Sequence, residues 1–316
     1  MKTKVFIDGS EGTTGLRIYE RFAGREDIEL LPVAPELRKD IGERKRLINS
    51  ADVVFLCLPD GAAKESAGLV ENENVRIIDT STAHRTAEGW IYGFPELSVG
   101  QREAIAGGRR IAVPGCHATG FISLVYPLVA SKVLAADYPF SAFSLTGYSG
   151  GGKKMIAQYE AEGREPELDA PREYALSQNH KHLKEMKAIA GLAREPLFSP
   201  IVADYYSGMV VSVPVYGEFL QRYAGAAGLR DFFEEYYKGQ KFIKVMAAGA
   251  EEELAGGMMA GNGCSGWDGL RIYVTGNEER AVLTAQFDNL GKGASGAAVQ
   301  CLNLMLGCEE GKGLNI

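Results

Sequence analysis

The feature that most constrains the fold lies within the first fifteen residues. An apolar run at 4–7 leads into Gly9-Ser10-Glu11-Gly12-Thr13-Thr14-Gly15, and a helical pattern opens at 14. Glycines there let the chain turn tightly and let a phosphate approach the backbone. The helix start adds free N–H donors and the positive end of its dipole. The spacing is G-x-x-G-x-x-G, a variant of the commonest dinucleotide fingerprint, and alone it also fits an ordinary βα turn. Its context argues for a dinucleotide. Strands at 28–34, 53–57, 76–79 and 110–113 alternate with helices at 14–22, 39–49 and 62–71. Such alternation implies an α/β domain with a parallel, doubly wound sheet.

After residue 113 the pattern changes. An apolar helix at 116–134 carries Pro127, which is expected to kink it. Longer strands at 141–148, 210–216, 240–247, 270–275 and 281–288 suggest an antiparallel or mixed sheet with helices on one face, an α+β arrangement. A last helix at 294–306 has small residues Ala294, Ala297, Ala298 and Cys301 at helical spacing, a face suited to packing back on the first domain.

Composition excludes some classes of partner. The chain of 316 residues has a net charge of −7, which argues against nucleic acid. No run approaches the roughly 20 apolar residues needed to cross a bilayer, and the start shows no signal-peptide anatomy, so a cytoplasmic enzyme is expected. Five cysteines, an odd number without CxxC spacing, suggest neither a disulfide framework nor a zinc site, and no metal is expected.

Four further segments carry candidate chemistry. In Val113-Pro114-Gly115-Cys116-His117-Ala118-Thr119-Gly120 a strand ends and the cysteine falls in the first turn of a helix, where thiolate is favoured. Cys57 and Cys301 read as core packing, and the exposure of Cys264 cannot be judged. In Gln178-Asn179-His180-Lys181-His182, two of only four histidines stand before a helix. Without a third ligand at suitable spacing, general acid/base work beside a cysteine suits them better than metal, with helix capping as the bland alternative. Asp79-Thr80-Ser81-Thr82-Ala83-His84-Arg85 and the flexible-looking Tyr148-Ser149-Gly150-Gly151-Gly152-Lys153-Lys154 are anion-binding candidates or plain surface loops.

Together with IDGSEGTTGLRIYERF, YGFPEL at 92–97, QNHKHLKEM and GKGASGAAVQCLNLMLG at 291–307, these motifs resemble the N-acetyl-γ-glutamyl-phosphate reductases of the short (type 2) subclass, nearly end to end. The His-Ala after Cys116 departs from the Tyr-Pro of the longer subclass. The resemblance implies the architecture of glyceraldehyde-3-phosphate dehydrogenase: a Rossmann-type cofactor domain at 1–115 plus 292–316 and a catalytic domain at 116–291. It implies arginine biosynthesis, with Cys116 taking the acyl group from an acyl phosphate and releasing inorganic phosphate. His182 matches the acid/base position and His180 orients it or the substrate. The glycine loop, Gly9 to Gly15, with Arg38, Lys39 and Lys292 would hold the cofactor. Arg85, Ser149, Gly150, Lys153 and His117 would hold the substrate, while Glu96 reads as structural. NADP is expected over NAD, because Arg38 and Lys39 suit a 2′-phosphate although Glu36 stands at the spacing of a ribose acid. A homo-oligomer, dimer or tetramer, is expected. The rival readings are an aspartate-semialdehyde dehydrogenase, or another acyl-phosphate reductase of the class, and a dinucleotide-binding redox sensor without turnover.

Overall fold

The computed structural model describes residues 2–316, which fall into two units. One comprises Met1–Gly115 with Ala294–Asn315, and the other Cys116–Gly293. The changeover near the C-terminal end falls at the start of the last helix read from the pattern, two residues after the boundary that the family resemblance implies.

The first unit contains β1 (Thr3–Asp8), α1 (Thr13–Phe22), β2 (Ile28–Leu30), α2 (Ile41–Ser50), β3 (Val53–Leu56) and α3 (Asp60–Gly68). It continues with β4 (Arg76–Asp79), β5 (Ile91–Tyr92), α4 (Gln101–Gly107) and β6 (Arg110–Ala112). All six strands pair in parallel, in the order β2-β1-β3-β4-β6-β5. Alternation along β1 explains the two-sided core. Val5 and Ile7 join Ile18, Phe22 and Ile105 on one face, and Phe6 joins Leu47, Ile48 and Ala63 on the other. β2 stops at Leu30 instead of running to Ala34, and Pro35–Leu37 forms a short 3-10 turn. The reversal of strand order falls at β1, so the glycine loop leaves the sheet where such folds hold dinucleotides.

The second unit begins at α5 (Cys116–Ala130). It then runs β7 (Ser141–Gly147), α6 (Gly152–Tyr159), β8 (Arg172–Glu173), α7 (His182–Ala190), β9 (Leu197–Ala203) and β10 (Met209–Tyr216). α8 (Gly225–Tyr236), β11 (Ile243–Val245), β12 (Leu270–Gly276) and β13 (Arg280–Phe287) complete it. The seven strands form a mixed sheet, β11-β12-β13-β10-β7-β9-β8. Met209, Val211 and Val213 of β10 and Leu283, Ala285 and Phe287 of β13 are buried on the face that α5 and α8 cover. Gly120 permits that approach, since a Cβ there would lie 2.5 Å from Val211 Cγ2. Pro127 sits inside α5 and cannot donate to the carbonyl of Ser123 four residues back. The Tyr237 hydroxyl donates to that carbonyl at 2.7 Å instead.

The last helix, α9 (Gly296–Met305), belongs to the first unit, where Ala297, Ala298, Cys301 and Leu302 enter the core beside Ile18 and Ile78. YGFPEL serves this packing. Glu96, 2% exposed, accepts from Gln300 Nε2 at 2.7 Å, and Cys301 Sγ donates to the Gly93 carbonyl at 3.4 Å.

Candidate active site

In the first unit the glycine loop is shaped by contacts that a side chain would break. Gly9 has φ +89°, and a Cβ there would lie 2.4 Å from the Cys57 carbonyl oxygen. A Cβ at Gly15 would lie 2.4 Å from the Gly9 oxygen, so both positions require glycine. Around Gly12 the nearest atom to such a Cβ is 3.4 Å away, which leaves the loop's surface open. No side chain caps α1, and Thr13 Oγ1 is buried without a hydrogen-bond partner among the described residues. An orphaned hydroxyl at an uncapped helix start, beside an open glycine, fits a pyrophosphate. Asp8 fixes the loop from below, accepting from Arg44 Nη2 at 3.1 Å and from Ser66 Oγ at 2.7 Å. Arg38 Nη1 lies 3.2 Å from Glu11 Oε1 within the loop, while Lys39 and Glu36 are exposed.

In the second unit Cys116 is the first residue of α5, partly exposed, with Gly293 packed on it: a Cβ on that glycine would lie 3.0 Å from Cys116 Cβ. The helix start favours thiolate there. Two of the other thiols are suppressed by burial. Burial pushes Cys57 up to about 12 and Cys264 up to about 11. Cys301 is fully buried.

Three of the four histidines gather next to this cysteine. The His117 ring centroid lies 5.4 Å from that of His180 and 5.5 Å from that of His182, and the latter two are 4.7 Å apart. His182, 4% exposed, opens α7, and its backbone N–H donates to His180 Nδ1 at 3.2 Å. His180 is thus the acceptor at the helix start as well as a member of the cluster. Both nitrogens of His117 are engaged, Nδ1 with Ser144 Oγ at 2.6 Å and Nε2 with the Tyr174 hydroxyl at 2.7 Å. That makes His117 an internal link, not the direct substrate ligand expected from its place in the motif. Burial, then the electrostatic effect of His180 and Lys181, pushes His117 down to about 3. Burial, then Lys181, pushes His180 down to about 4.

These neutral imidazoles carry a stability cost in acid. Both rings have folded pKa values below the unfolded value of about 6.5, so their contribution is complete above that pH and is lost as pH falls toward 3. His117 alone should cost about 2 kcal/mol between pH 6.5 and pH 5, at about 1.4 kcal/mol per unit. Carboxylates held low by partners, such as Asp27 beside Arg25, act only below about 4 and leave this window clear. Urea unfolding at pH 7.5 and 5.0 checks it, and an unmoved midpoint would refute the neutral-imidazole cluster.

The two anion candidates differ. Segment 79–85 spends its donors on itself. Ser81 N and Oγ bond Asp79 at 2.9 and 2.8 Å, and Thr82 N and Oγ1 bond Asp60. His84 Nδ1 lies 2.6 Å from Asp79 Oδ2 with its ring stacked 4.0 Å from Trp90. Buried Arg85 donates from Nε to the Val113 carbonyl at 2.9 Å and from Nη2 to that of Thr80 at 3.1 Å. Segment 148–154 is no flexible loop but a 3-10 turn running into α6, entered through Gly152 at φ +73°. Ser149, 1% exposed, accepts from Asn289 Nδ2 at 3.0 Å, whereas Gly150 and Lys153 are exposed. Lys292 lies in the second unit, 1% exposed, with Nζ 5.2 Å from the Phe242 ring centroid.

Residues 10–107 match the family described as semialdehyde dehydrogenase, NAD binding domain, and residues 116–289 match semialdehyde dehydrogenase, dimerisation domain. N-acetyl-gamma-glutamyl-phosphate reductase 2 of a Nostoc species is 44% identical across 99% of both chains. N-acetyl-gamma-glutamyl-phosphate reductase 2 of Pseudomonas putida is 43% identical across 98% of both. The chain belongs to the N-acetyl-γ-glutamyl-phosphate reductase family. Its fold is that of aspartate semialdehyde dehydrogenase II complexed with ASA from Vibrio cholerae, at TM-score 0.71 and 15% identity over 97% of this chain and 98% of that one.

Within this reductase family member, sequence reasoning passed over Ser144, Tyr174 and Asn289. Ser144 is one of many strand hydroxyls, and Tyr174 follows a strand of two residues, so neither carries a periodic signal. Asn289 had the only available hint, a buried amide two residues before the glycine-rich run at 291–296.

Proposed function

We propose that the chain catalyses the NADPH-dependent reductive dephosphorylation of N-acetyl-γ-glutamyl phosphate to N-acetyl-glutamate 5-semialdehyde in arginine biosynthesis. The observation that carries this reading is Cys116, set at the start of α5 beside three clustered histidines, in a chain 44% identical end to end to a named reductase. The Cys116 thiolate attacks the acyl carbon, the C–O bond to phosphate breaks, and a thioester forms as inorganic phosphate leaves. Main-chain N–H groups at the start of α5 stabilise the oxyanion. Reduced nicotinamide, when bound, supplies the hydride. His182 gives its proton to the oxygen on the former acyl carbon and takes it back as the C–S bond breaks, so that the aldehyde and the Cys116 thiolate are released, while His180 holds the start of its helix. Ser149, Gly150 and Lys153 are the residues we assign to the substrate's phosphate and carboxylate. Assay in the oxidative direction, with phosphate and oxidised cofactor, tests the substrate. N-acetyl-glutamate semialdehyde should turn over, and aspartate semialdehyde should be neglected. Equal rates on the two would move the chain to the aspartate-semialdehyde reading.

The cofactor preference we infer is for NADP. Arg38 already reaches the glycine loop through its ion pair with Glu11, and both side chains are exposed enough that this pair is weak and easily exchanged for a 2′-phosphate. Arg38→Ala combined with Lys39→Ala should lower the NADP-to-NAD ratio of kcat/KM by about tenfold or more, since a hydrogen bond to a charged group is worth about 1.5–3 kcal/mol. An unchanged ratio would put the 2′-phosphate elsewhere.

The second unit also carries an open sheet face suited to another copy of the chain. Phe143 of β7, Leu197 of β9, Tyr216 of β10 and Val282 of β13 stand 53%, 67%, 54% and 37% exposed on the side away from the helices. A homodimer through this face accords with the match to a dimerisation domain at 116–289. No helix is long and apolar enough to cross a membrane among the described residues. A reducing, cytoplasmic setting suits a catalytic thiol.

A further inference from the structure

We propose that Arg172 binds the substrate's carboxylate, at the far end of the carbon chain from the acyl phosphate, and so selects N-acetyl-glutamyl substrates over uncharged aldehydes. This inference rests on the substrate proposed above and names the residue that reads its carboxylate.

Arg172 is half-buried at the start of β8, and its one hydrogen bond among the described residues runs from Nη2 to the Tyr159 hydroxyl at 3.0 Å. Its guanidinium carbon lies 5.3 Å from the Tyr159 ring centroid. Among the described residues no carboxylate pairs with it, and Nε is buried without a hydrogen-bond partner. A second arginine on the same ring supplies the contrast. Arg164 stands 5.9 Å from the Tyr159 ring centroid and donates to Asp204, Asp169 and the Tyr159 carbonyl. Arg164 is a completed structural ion pair, whereas Arg172 is a cation with donors unspent. Holding such a group partly out of water costs stability, and a bound anion removes that cost. A planar fork of N–H groups fits a carboxylate especially well.

Two routes of contact tie Arg172 to the residues around Cys116. Along the strand, Arg172 pairs with Val202, and Tyr174 N donates to the Pro200 carbonyl, so pairing with β9 continues through Tyr174. Side chains alternate along a strand, which puts Arg172 and Tyr174 on one face. The Tyr174 hydroxyl lies 2.7 Å from His117 Nε2, and His117 follows Cys116 directly. The second route runs through the aromatic rings. Tyr159 stacks on Tyr148 at 4.7 Å, and Tyr148 opens the turn that holds Ser149 and Gly150. Both routes meet in one apolar cluster, where Tyr148 and Tyr174 pack against Tyr159, Leu168 and Val202. The acids around that cluster are committed elsewhere. Asp169 and Asp204 are held by Arg164, and Glu160 accepts from the Tyr148 hydroxyl at 3.3 Å. Tyr174 stands between Arg172 and the histidine beside the nucleophile, so the guanidinium is set back from the reacting carbon. That setback suits the carboxylate at the other end of the substrate, not the phosphate, which is joined to the carbon that Cys116 attacks and leaves it.

The test compares two aldehydes in the oxidative direction, with phosphate and oxidised cofactor, on the full chain. One is N-acetyl-glutamate 5-semialdehyde, and the other is 4-acetamidobutanal, which keeps the amide and the aldehyde but has no carboxylate. Wild type should favour the first by about a hundredfold in kcat/KM, the scale of a charge-assisted pair. Arg172→Gln should lower kcat/KM for N-acetyl-glutamate semialdehyde by about that factor, chiefly through KM, and leave 4-acetamidobutanal unchanged. The KM for phosphate should hold its wild-type value, which a merely structural role would not preserve. Arg172→Lys keeps the charge and loses the fork, so its preference should fall between the two, and it carries the test if Arg172→Gln does not fold. Equal losses on both aldehydes, or an undiminished preference in either folded variant, overturns the proposal. If wild type leaves N-acetyl-glutamate semialdehyde untouched, the substrate reading itself fails, and this inference with it.

Discussion

Cys116→Ser is expected to lower turnover by at least about three orders of magnitude, the scale seen when a nucleophile is removed. The reason is specific to the position. Cys116 stands at the start of a helix whose first-turn N–H groups and dipole favour an anion, and sulfur exploits that field because a thiol ionises within reach of neutral pH. A serine hydroxyl in the same field remains protonated, and an ester at that position would release its alcohol poorly. The other four cysteines cannot substitute. Cys57 and Cys264 are held as thiols by burial, Cys301 is sealed in the first unit's core, and Cys308 lies near Asp27, with Sγ 3.8 Å from its Oδ2. The fold should be unaffected, since the exchange removes little volume at a partly exposed site. Steady-state turnover, cofactor binding and thermal melting on one preparation separate these effects. Retained turnover, or inactivation that labels Cys264 and spares Cys116, would remove the thioester from the mechanism.

The parts of the fold readable from sequence are those set by short-range rules. Gly9 and Gly15 are required by contacts within the βα turn itself, and alternation in β1 assigns Val5, Phe6 and Ile7 to opposite faces. α9 was legible because its small residues repeat at helical spacing. β9 was not. Leu197-Phe198-Ser199-Pro200-Ile201-Val202-Ala203 contains a proline, which removes a ladder donor and argues against a strand. The structure uses the half of that residue that remains, with the Pro200 carbonyl accepting from Tyr174 N at 3.0 Å.

The site divides in the same way. A cysteine after Pro-Gly at a strand end is a local statement, and so is a histidine pair at a helix start. What each partner does depends on contacts that no spacing reveals. Segment 79–85 has the composition of an anion loop, yet Asp79 and Asp60 consume its hydroxyls and amides, and only the assembled structure shows it. His117 follows Cys116 directly and so looked like a substrate ligand. Ser144 and Tyr174 claim both its nitrogens from distant parts of the chain.

His182→Asn should depress turnover by about 10²–10⁴-fold, the usual contribution of a general acid/base, and His180→Asn should do much less. The two histidines differ in their attachments. His182 begins α7, is 4% exposed, and sits with its ring 5.5 Å from that of His117, in the cluster next to Cys116. His180 accepts the His182 backbone N–H through Nδ1, a task that an asparagine side-chain oxygen performs well at helix starts. Burial also holds His180 down to about 4, which leaves it unprotonated at neutral pH and a poor source of the proton that the oxyanion takes up after hydride transfer. His180→Asn should therefore keep α7 in place and leave the pH–rate profile close to wild type. His182→Asn should remove one limb of that profile along with the rate. Equal and mild losses from both changes would reduce the pair to helix capping, and the proton would have to come from another group in the second unit.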